Sequence, residues 1–206
     1  MRNYTESLPP ALERAAPRIV LASGSPRRRE LLRRVGITEF DVVVPRADET
    51  APAGLSARDT VACIARRKAE AARELTAGDD LVITADTMVF LDGERLGKPR
   101  DEADALRMLT ALSGARHTVC TGVTVRRGDR LNCFTVATDV YFRQASEAEL
   151  SAYVRSGEPM DKAGAYGIQG LGALLVERID GDYYNVMGLP LLPLSGALRE
   201  FGVRLL

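Results

Sequence analysis

The chain has 206 residues, 46% apolar and 27% charged, an ordinary globular balance with enough apolar material for one sizeable core. Its 28 basic side chains match its 28 acidic ones, so the formal net charge is zero. That argues against a protein held on nucleic acid or a membrane by bulk charge, while leaving room for a local basic pocket. Three cysteines, Cys63, Cys120 and Cys133, stand far apart without a CxxC pair. They argue against a disulfide scaffold or a zinc ribbon, fit a reducing cytoplasm, and read as inert residues of apolar surroundings. No apolar run approaches the roughly 20 residues that cross a bilayer. Residues 1–17 are polar, carry Pro9, Pro10 and Pro17, and lack the apolar segment of a secretory signal. They read as a loose N-terminal extension ahead of a single domain over residues 18–206.

Ile19 to Ser23 is a short buried strand bounded by Gly24. Ser25-Pro26 then reads as an N-cap followed by proline at the first helical position. The helix runs through Leu31, Leu32 and Val35 and stops at Gly36. Phe40 to Val44 alternates as a second strand, and Pro45 to Gly54 is a loop carrying Asp48 and Glu49. Ser56 and Asp59 resemble a capping box that opens a helix to about Leu75. Leu81 to Phe90 is a β-type apolar run interrupted by Asp86, and Asp92-Gly93 is a tight turn. Asp101 and Asp104 frame a helix whose apolar side is Ala105, Met108, Leu109 and Leu112, ended by Ser113-Gly114. Val119 to Val125 and Leu131 to Phe142, joined at Arg127-Gly128-Asp129, form a long antiparallel hairpin. Ser146 and Glu149 form a full capping box, and Gly157 closes that helix. A glycine-rich stretch over 163–173, a strand from Leu174 to Ile179, a turn at 180–182 and a helix from Pro190 to Phe201 complete the chain. Strands interleaved with helices, plus one hairpin, predict an α/β fold with a mixed sheet.

Ser23-Gly24-Ser25-Pro26-Arg27-Arg28-Arg29 lies between a strand end and a helix start, where backbone N–H groups and the helix dipole favour an anion. It is neither a Walker loop nor a GxGxxG fingerprint, and a capped helix with a solvated basic first turn explains it as well as a phosphate site does. Asp86 inside an apolar strand must be paired, protonated or on a metal, so it is either a structural ion pair or a metal ligand and base for water. Lys68 falls on the inward stripe of Val61, Ile64, Ala65, Ala72 and Leu75, from which it either snorkels outward or enters a polar pocket. Lys98, in Gly97-Lys98-Pro99, needs no role beyond exposure. Gly164 to Gly172 permits close backbone approach to a ligand or simply a tight bend. His117, the single histidine, reads as structural.

Together these pieces resemble the Maf family of nucleoside triphosphate pyrophosphatases. LASGSPRRRELL, ARRKA, ITADTMV, GKPRDEADALRMLTALSG, HTVCTGV, DKAGAYGIQG and YYNVMGLP match the family pattern in order from Ile19 onward. The resemblance implies a mixed β-sheet flanked by helices, with two lobes around a deep cleft as in inosine triphosphatase-like folds. It implies cleavage of the α–β phosphoanhydride to nucleoside monophosphate and pyrophosphate. In this sequence Asp86 matches the catalytic proton acceptor, and Glu49 joins it at a divalent metal, Mg²⁺ or Mn²⁺. Ser23, Arg28, Lys68 and Lys98 match substrate-binding positions, while Arg27, Thr87 and Gln169 match positions tied to base selection. Glutamine in the GIQG motif marks the branch acting on dTTP and UTP, and a sister branch with an acidic residue there acts on 7-methyl-GTP. The resemblance also implies a homodimer and a link to septum formation and cell-division arrest. Two competing readings are a pyrophosphatase of different base range, clearing modified nucleotides, and a non-catalytic nucleotide- or nucleic-acid-binding regulator of septum formation. The carboxylate pair Glu49 and Asp86 discriminates against the latter, since without metal it repels phosphate.

Overall fold

The computed structural model describes residues 17–50 and 52–206, so the expected N-terminal extension lies outside the described residues except for Pro17. Strand β1 (Ile19–Ala22) leads into helix α1 (Pro26–Arg34), and β2 (Asp41–Val43) follows. Ser25 occupies the N-cap position of α1 but its side chain makes no capping hydrogen bond, so proline at N1 marks the helix start without help from the hydroxyl. Helix α2 (Ala57–Ala71) is capped by Ser56, whose hydroxyl accepts from the Asp59 N–H, and a 3₁₀ turn extends it to Leu75. β3 (Leu81–Leu91) and β4 (Glu94–Leu96) form a hairpin, followed by α3 (Glu102–Leu112) with Asp101 as N-cap. β5 (Arg116–Arg127) and β6 (Arg130–Phe142) form the long hairpin, longer than expected on the β5 side. The capping box of Ser146 and Glu149 opens α4 (Glu147–Arg155).

Other features also differ from the sequence expectations. The last strand, β7 (Val176–Asp180), begins two residues later than expected because Leu174 and Leu175 belong to a 3₁₀ turn. A short helix, α5 (Tyr183–Met187), occupies a segment without periodicity, and rests on Asp182, whose carboxylate accepts from the N–H groups of Tyr184 and Asn185. Cys133 is exposed rather than packed in the core, while Cys120 is buried and Cys63 is intermediate. Helix α6 (Leu191–Glu200) ends the described elements.

Over the described residues the strands join in one mixed sheet of order β2-β1-β3-β5-β6-β7, with β4 pairing off β3. β1 runs parallel to β2 and β3, and the remaining pairs are antiparallel. Side chains alternate along β3. Leu81, Ile83, Ala85 and Val89 enter the main core, which also holds apolar residues of α1, α3, α4 and α6. Thr84 and Met88 face α2, where Met88 packs with Val61, Ile64 and Cys120. This α/β layering, with helices on both faces of a mixed sheet, agrees with the predicted fold class.

The sheet also makes the cleft. β1 pairs with β3 as far as Leu21↔Ile83, and β4 pairs with it only from Val89 onward. The β3 edge between them is left to the opening, and Asp86 and Thr87 lie on it.

Candidate active site

A cleft of about 650 Å³ gathers the β1–α1 turn, Glu49, Lys68, the middle of β3, the β4 hairpin, residues 161–169 and the α5 C-terminus. Its position beyond the carboxyl end of β1, where the sheet changes from parallel to antiparallel, is the usual place for a ligand in an open α/β sheet. Every residue expected at a site lines this one opening: Ser23, Arg27, Arg28, Glu49, Lys68, Asp86, Thr87, Lys98 and Gln169.

Asp86 shares the α2-facing side of β3 with Thr84 and Met88, and is buried at 5% exposure. Its Oδ1 accepts from Lys68 Nζ at 2.7 Å, and the same ammonium lies 3.0 Å from Glu49 Oε1. Lys68 therefore enters the polar pocket rather than snorkelling outward. Asp86 Oδ2 is buried without a hydrogen-bond partner among the described residues. An orphaned carboxylate oxygen in a desolvated place is costly unless something binds it. Gly122 lies opposite Asp86 on β5, and makes this geometry possible. A Cβ there would collide with the Val61 carbonyl of α2 and reach 2.8 Å from the Ala62 nitrogen. The bare glycine lets α2 approach the sheet closely enough for Lys68 to reach Asp86.

Thr87 points to the opposite face, toward Arg28. The Arg28 guanidinium donates to the Gly188 carbonyl at 2.8 Å, to Ser23 Oγ and the Ala85 carbonyl at 2.9 Å, and to Thr87 Oγ1 at 3.1 Å. Thr87 Oγ1 meets Thr121 Oγ1 at 2.9 Å, and Thr121 donates to the Asn185 carbonyl at 3.0 Å. Asn185 is fully buried, and its amide donates to the Val119 carbonyl and Thr138 Oγ1. Arg28 thus braces the end of β1, the middle of β3 and the loop after α5 into one unit. Burial lowers its pKa to about 10, partly opposed by the nearby Asp86 charge. The guanidinium remains charged at neutral pH.

The cations facing the cleft differ in their engagement. Arg27 Nη1 stands 3.4 Å from Asp161 Oδ2, and Lys162 Nζ stands 2.6 Å from Asp161 Oδ1. Lys98 and Arg95 are exposed on the β4 hairpin and both line the cleft. Arg95 and Lys162 are cleft cations that the sequence reading passed over, although Arg95 stands two residues before Gly97-Lys98-Pro99 and Lys162 lies inside DKAGAYGIQG.

Gln169 is exposed on the cleft wall within the glycine-rich loop. A pair outside the cleft, the buried Tyr153 and the half-buried Glu158, holds that loop. Tyr153 Oη donates to Glu158 Oε1 at 2.8 Å and accepts from the Gly167 N–H at 3.1 Å. Glu158 also accepts from the N–H groups of Leu171 at 2.8 Å and Gly172 at 3.2 Å. Burial alone would raise the Glu158 pKa, but the donors at Leu171, Gly172 and Tyr153 hold it below the usual carboxylate range. A Cβ on Gly170 would strike this carboxylate. His117 is buried behind the loop, its Nε2 at 2.8 Å from Tyr166 Oη, and burial lowers its pKa to about 4.

The carboxylates at the cleft fit a divalent cation of the Mg²⁺ or Mn²⁺ kind. Glu49 and Asp86 already converge on one ammonium, and Asp86 has a free oxygen. Among the described residues no cluster of three or more His, Cys, Asp or Glu side chains could hold a metal by itself. Two carboxylates with the remaining positions left to phosphate oxygens and water is a usual Mg²⁺ arrangement.

Comparison with known proteins agrees with this geometry. The family described as Maf-like protein matches residues 18–201. A dTTP/UTP pyrophosphatase of Bacillus velezensis is 47% identical over 91% of this chain and 98% of that protein. One from Vibrio cholerae serotype O1 is 50% identical over 89% of this chain and 98% of that protein. A solved HAM1 protein from Coxiella burnetii, 16% identical, superposes with a TM-score of 0.50 over 90% of this chain and 100% of its own, a likeness of fold. With the family pattern matched over nearly the whole described chain and close to half of the aligned positions shared with its relatives, this chain belongs to the Maf family.

Proposed function

We propose that this chain is a cytoplasmic nucleoside triphosphate pyrophosphatase that hydrolyses dTTP and UTP to the monophosphate and pyrophosphate, with residues 18–206 acting as one domain. The observation that carries the reading is Asp86. A buried carboxylate with one oxygen on Lys68 and the other unpartnered, at the floor of a cleft lined with cations, suits a proton acceptor beside a polyphosphate. The two dTTP/UTP pyrophosphatases described above support the substrate class.

A triphosphate carries about four negative charges, so its binding requires positive charge around it. Lys98 and Arg95 supply that charge on the β4 side, and Arg27 and Lys162 on the opposite wall. Lys68 holds Asp86 in place and offsets its charge against the incoming phosphates. Water attacks the α-phosphorus, the bond to the bridging oxygen of the β-phosphate breaks, and pyrophosphate leaves. Asp86 takes the proton that the water loses. A Mg²⁺ or Mn²⁺ ion held by Glu49 and Asp86 would neutralise phosphate charge there. Arg28, engaged by four protein acceptors, keeps Ser23, Asp86 and Thr87 in register.

Base selection rests on Gln169 in this reading. With its amide held in one orientation, it donates to the O4 of uracil or thymine and accepts from N3–H. Cytosine reverses both groups, which leaves mismatched polar atoms desolvated at a cost of about 1–3 kcal/mol. The test is a panel of nucleoside triphosphates with Mg²⁺ or Mn²⁺, scored separately for pyrophosphate and for orthophosphate. dTTP and UTP should lead CTP by roughly 5- to 150-fold in kcat/KM, with pyrophosphate as the product. Orthophosphate as the product, or no turnover of any triphosphate, overturns the reading.

A further inference from the structure

Gln169 sits in a loop that contains Gly164, Gly167, Gly170 and Gly172, so the local chain has little stiffness of its own. The amide meets the same neighbours and the same base edge only while the backbone that carries it stays in place. Discrimination therefore needs something that holds the loop. The structure contains it outside the cleft.

We propose that Glu158 and Tyr153 are positioning residues for base selection, fixing the backbone on both sides of Gln169 without touching the nucleotide. This rests on the reading of Gln169 as the base-selecting side chain. Neither Glu158 nor Tyr153 lines the cleft. The Tyr153 hydroxyl takes the N–H of Gly167, two positions before Gln169. The Glu158 carboxylate takes the N–H groups of Leu171 and Gly172, two and three positions after it. The phenol and the carboxylate are themselves joined at 2.8 Å, so both anchors move as one. A Cβ on Gly170 would overlap the Glu158 carboxylate, so the carboxylate packs closely against the loop backbone next to Gln169. From the same segment, Lys162 Nζ donates to the Glu158 carbonyl and to Asp161, tying the clamp to the cleft wall. Preorganisation of this kind removes an ordering cost from binding the right base and leaves the wrong base no rearrangement to exploit.

Glu158→Gln is the informative substitution. Both carboxylate oxygens accept from N–H groups, so an amide places its NH₂ against one of those donors and loses that anchor. The measurement is kcat/KM for UTP over CTP, together with the Ki of inorganic tripolyphosphate, which reports the phosphate half of the cleft alone. In Glu158→Gln the UTP:CTP ratio should fall about tenfold while the tripolyphosphate Ki stays within about twofold of the parent. Gln169→Ala should lower the ratio similarly, and adding Glu158→Gln to it should change the ratio no further, because both act through one side chain. A parent-like ratio in Glu158→Gln beside a collapsed ratio in Gln169→Ala overturns the positioning role. So does an equal loss on UTP, CTP and tripolyphosphate, which marks general loosening of the cleft. If Gln169→Ala keeps the parent ratio, the base-selection reading falls and the positioning role with it. Tyr153→Phe keeps the Glu158 acceptors for Leu171 and Gly172 and loses the anchor at Gly167 together with the phenol–carboxylate link. It is read in the same way should Glu158→Gln prove too unstable to assay, and an unchanged ratio in it is again a refutation.

Discussion

Arg28 separates two roles that its place in the sequence leaves open, a phosphate contact and an internal brace. The structure commits its guanidinium to Gly188 O, Ala85 O, Ser23 Oγ and Thr87 Oγ1. Arg28→Met takes the guanidinium donor from two buried carbonyls, leaving Gly188 O only a 3.5 Å contact with Thr87 Oγ1, each loss costing up to about 1–3 kcal/mol. The two hydroxyls cost less, since Thr87 retains Thr121 and Ser23 retains the N–H of Ser25. Removing a buried charge returns part of the loss, because the guanidinium itself is desolvated, as its lowered pKa of about 10 reflects. The net expected loss is about 2–3 kcal/mol. In a chain of 206 residues that corresponds to a fall in Tm of roughly 4–12 °C. Arg28→Lys should be worse than Arg28→Met, because it keeps the buried charge and cannot reach acceptors lying in four directions. Thermal unfolding followed by circular dichroism gives the Tm values, and steady-state kinetics at saturating and limiting UTP gives kcat and KM for the folded fraction. A Tm within about 2 °C of the parent in both variants, combined with a large rise in KM, would refute the bracing argument and assign Arg28 to the phosphates.

Three further outcomes follow from the same geometry. Asp86→Asn should retain the fold but lose on the order of 10²-fold or more in kcat, since an amide cannot take the water's proton; near-parental UTP turnover would make Asp86 structural. Lys98→Gln and Arg95→Gln should each raise KM several-fold for every triphosphate alike, because phosphate carries no base identity, and the effect should shrink as salt rises; a base-dependent change would count against the assignment. His117 is buried and its folded-state pKa, about 4, lies below the ordinary 6.5, so the unfolded chain binds its proton first. Stability is therefore full above about pH 6.5 and falls as the pH drops toward 4, by about 2 kcal/mol between pH 7 and pH 5. His117→Gln should flatten that part of the profile in urea unfolding at the two pH values, and an unchanged slope would remove His117 as its source.

How much of this protein its sequence determines differs between the elements and the site. Periodicity and capping are local, so the α2 register that turns Lys68 inward, the Ser146–Glu149 box and the β5–β6 hairpin are legible from neighbouring residues alone. The seven ordered motifs likewise single out the candidate residues from the sequence alone. Short elements held by single side chains are not legible in this way: α5 rests on Asp182, and β7 starts late because the preceding 3₁₀ turn takes Leu174 and Leu175. The site was least legible of all, because what satisfies a buried polar group is set by chain distant in sequence. Lys68 meets Asp86 eighteen residues away, and only because Gly122, on another strand, admits α2 to the sheet. Arg28 takes its acceptor at Gly188 from 160 residues further along, which turns a basic first turn into an internal brace. Composition and pattern say which faces are buried. The three-dimensional packing decides which charges then find one another, since desolvation penalises any unpartnered polar group, charged ones most, and only geometry supplies the partner.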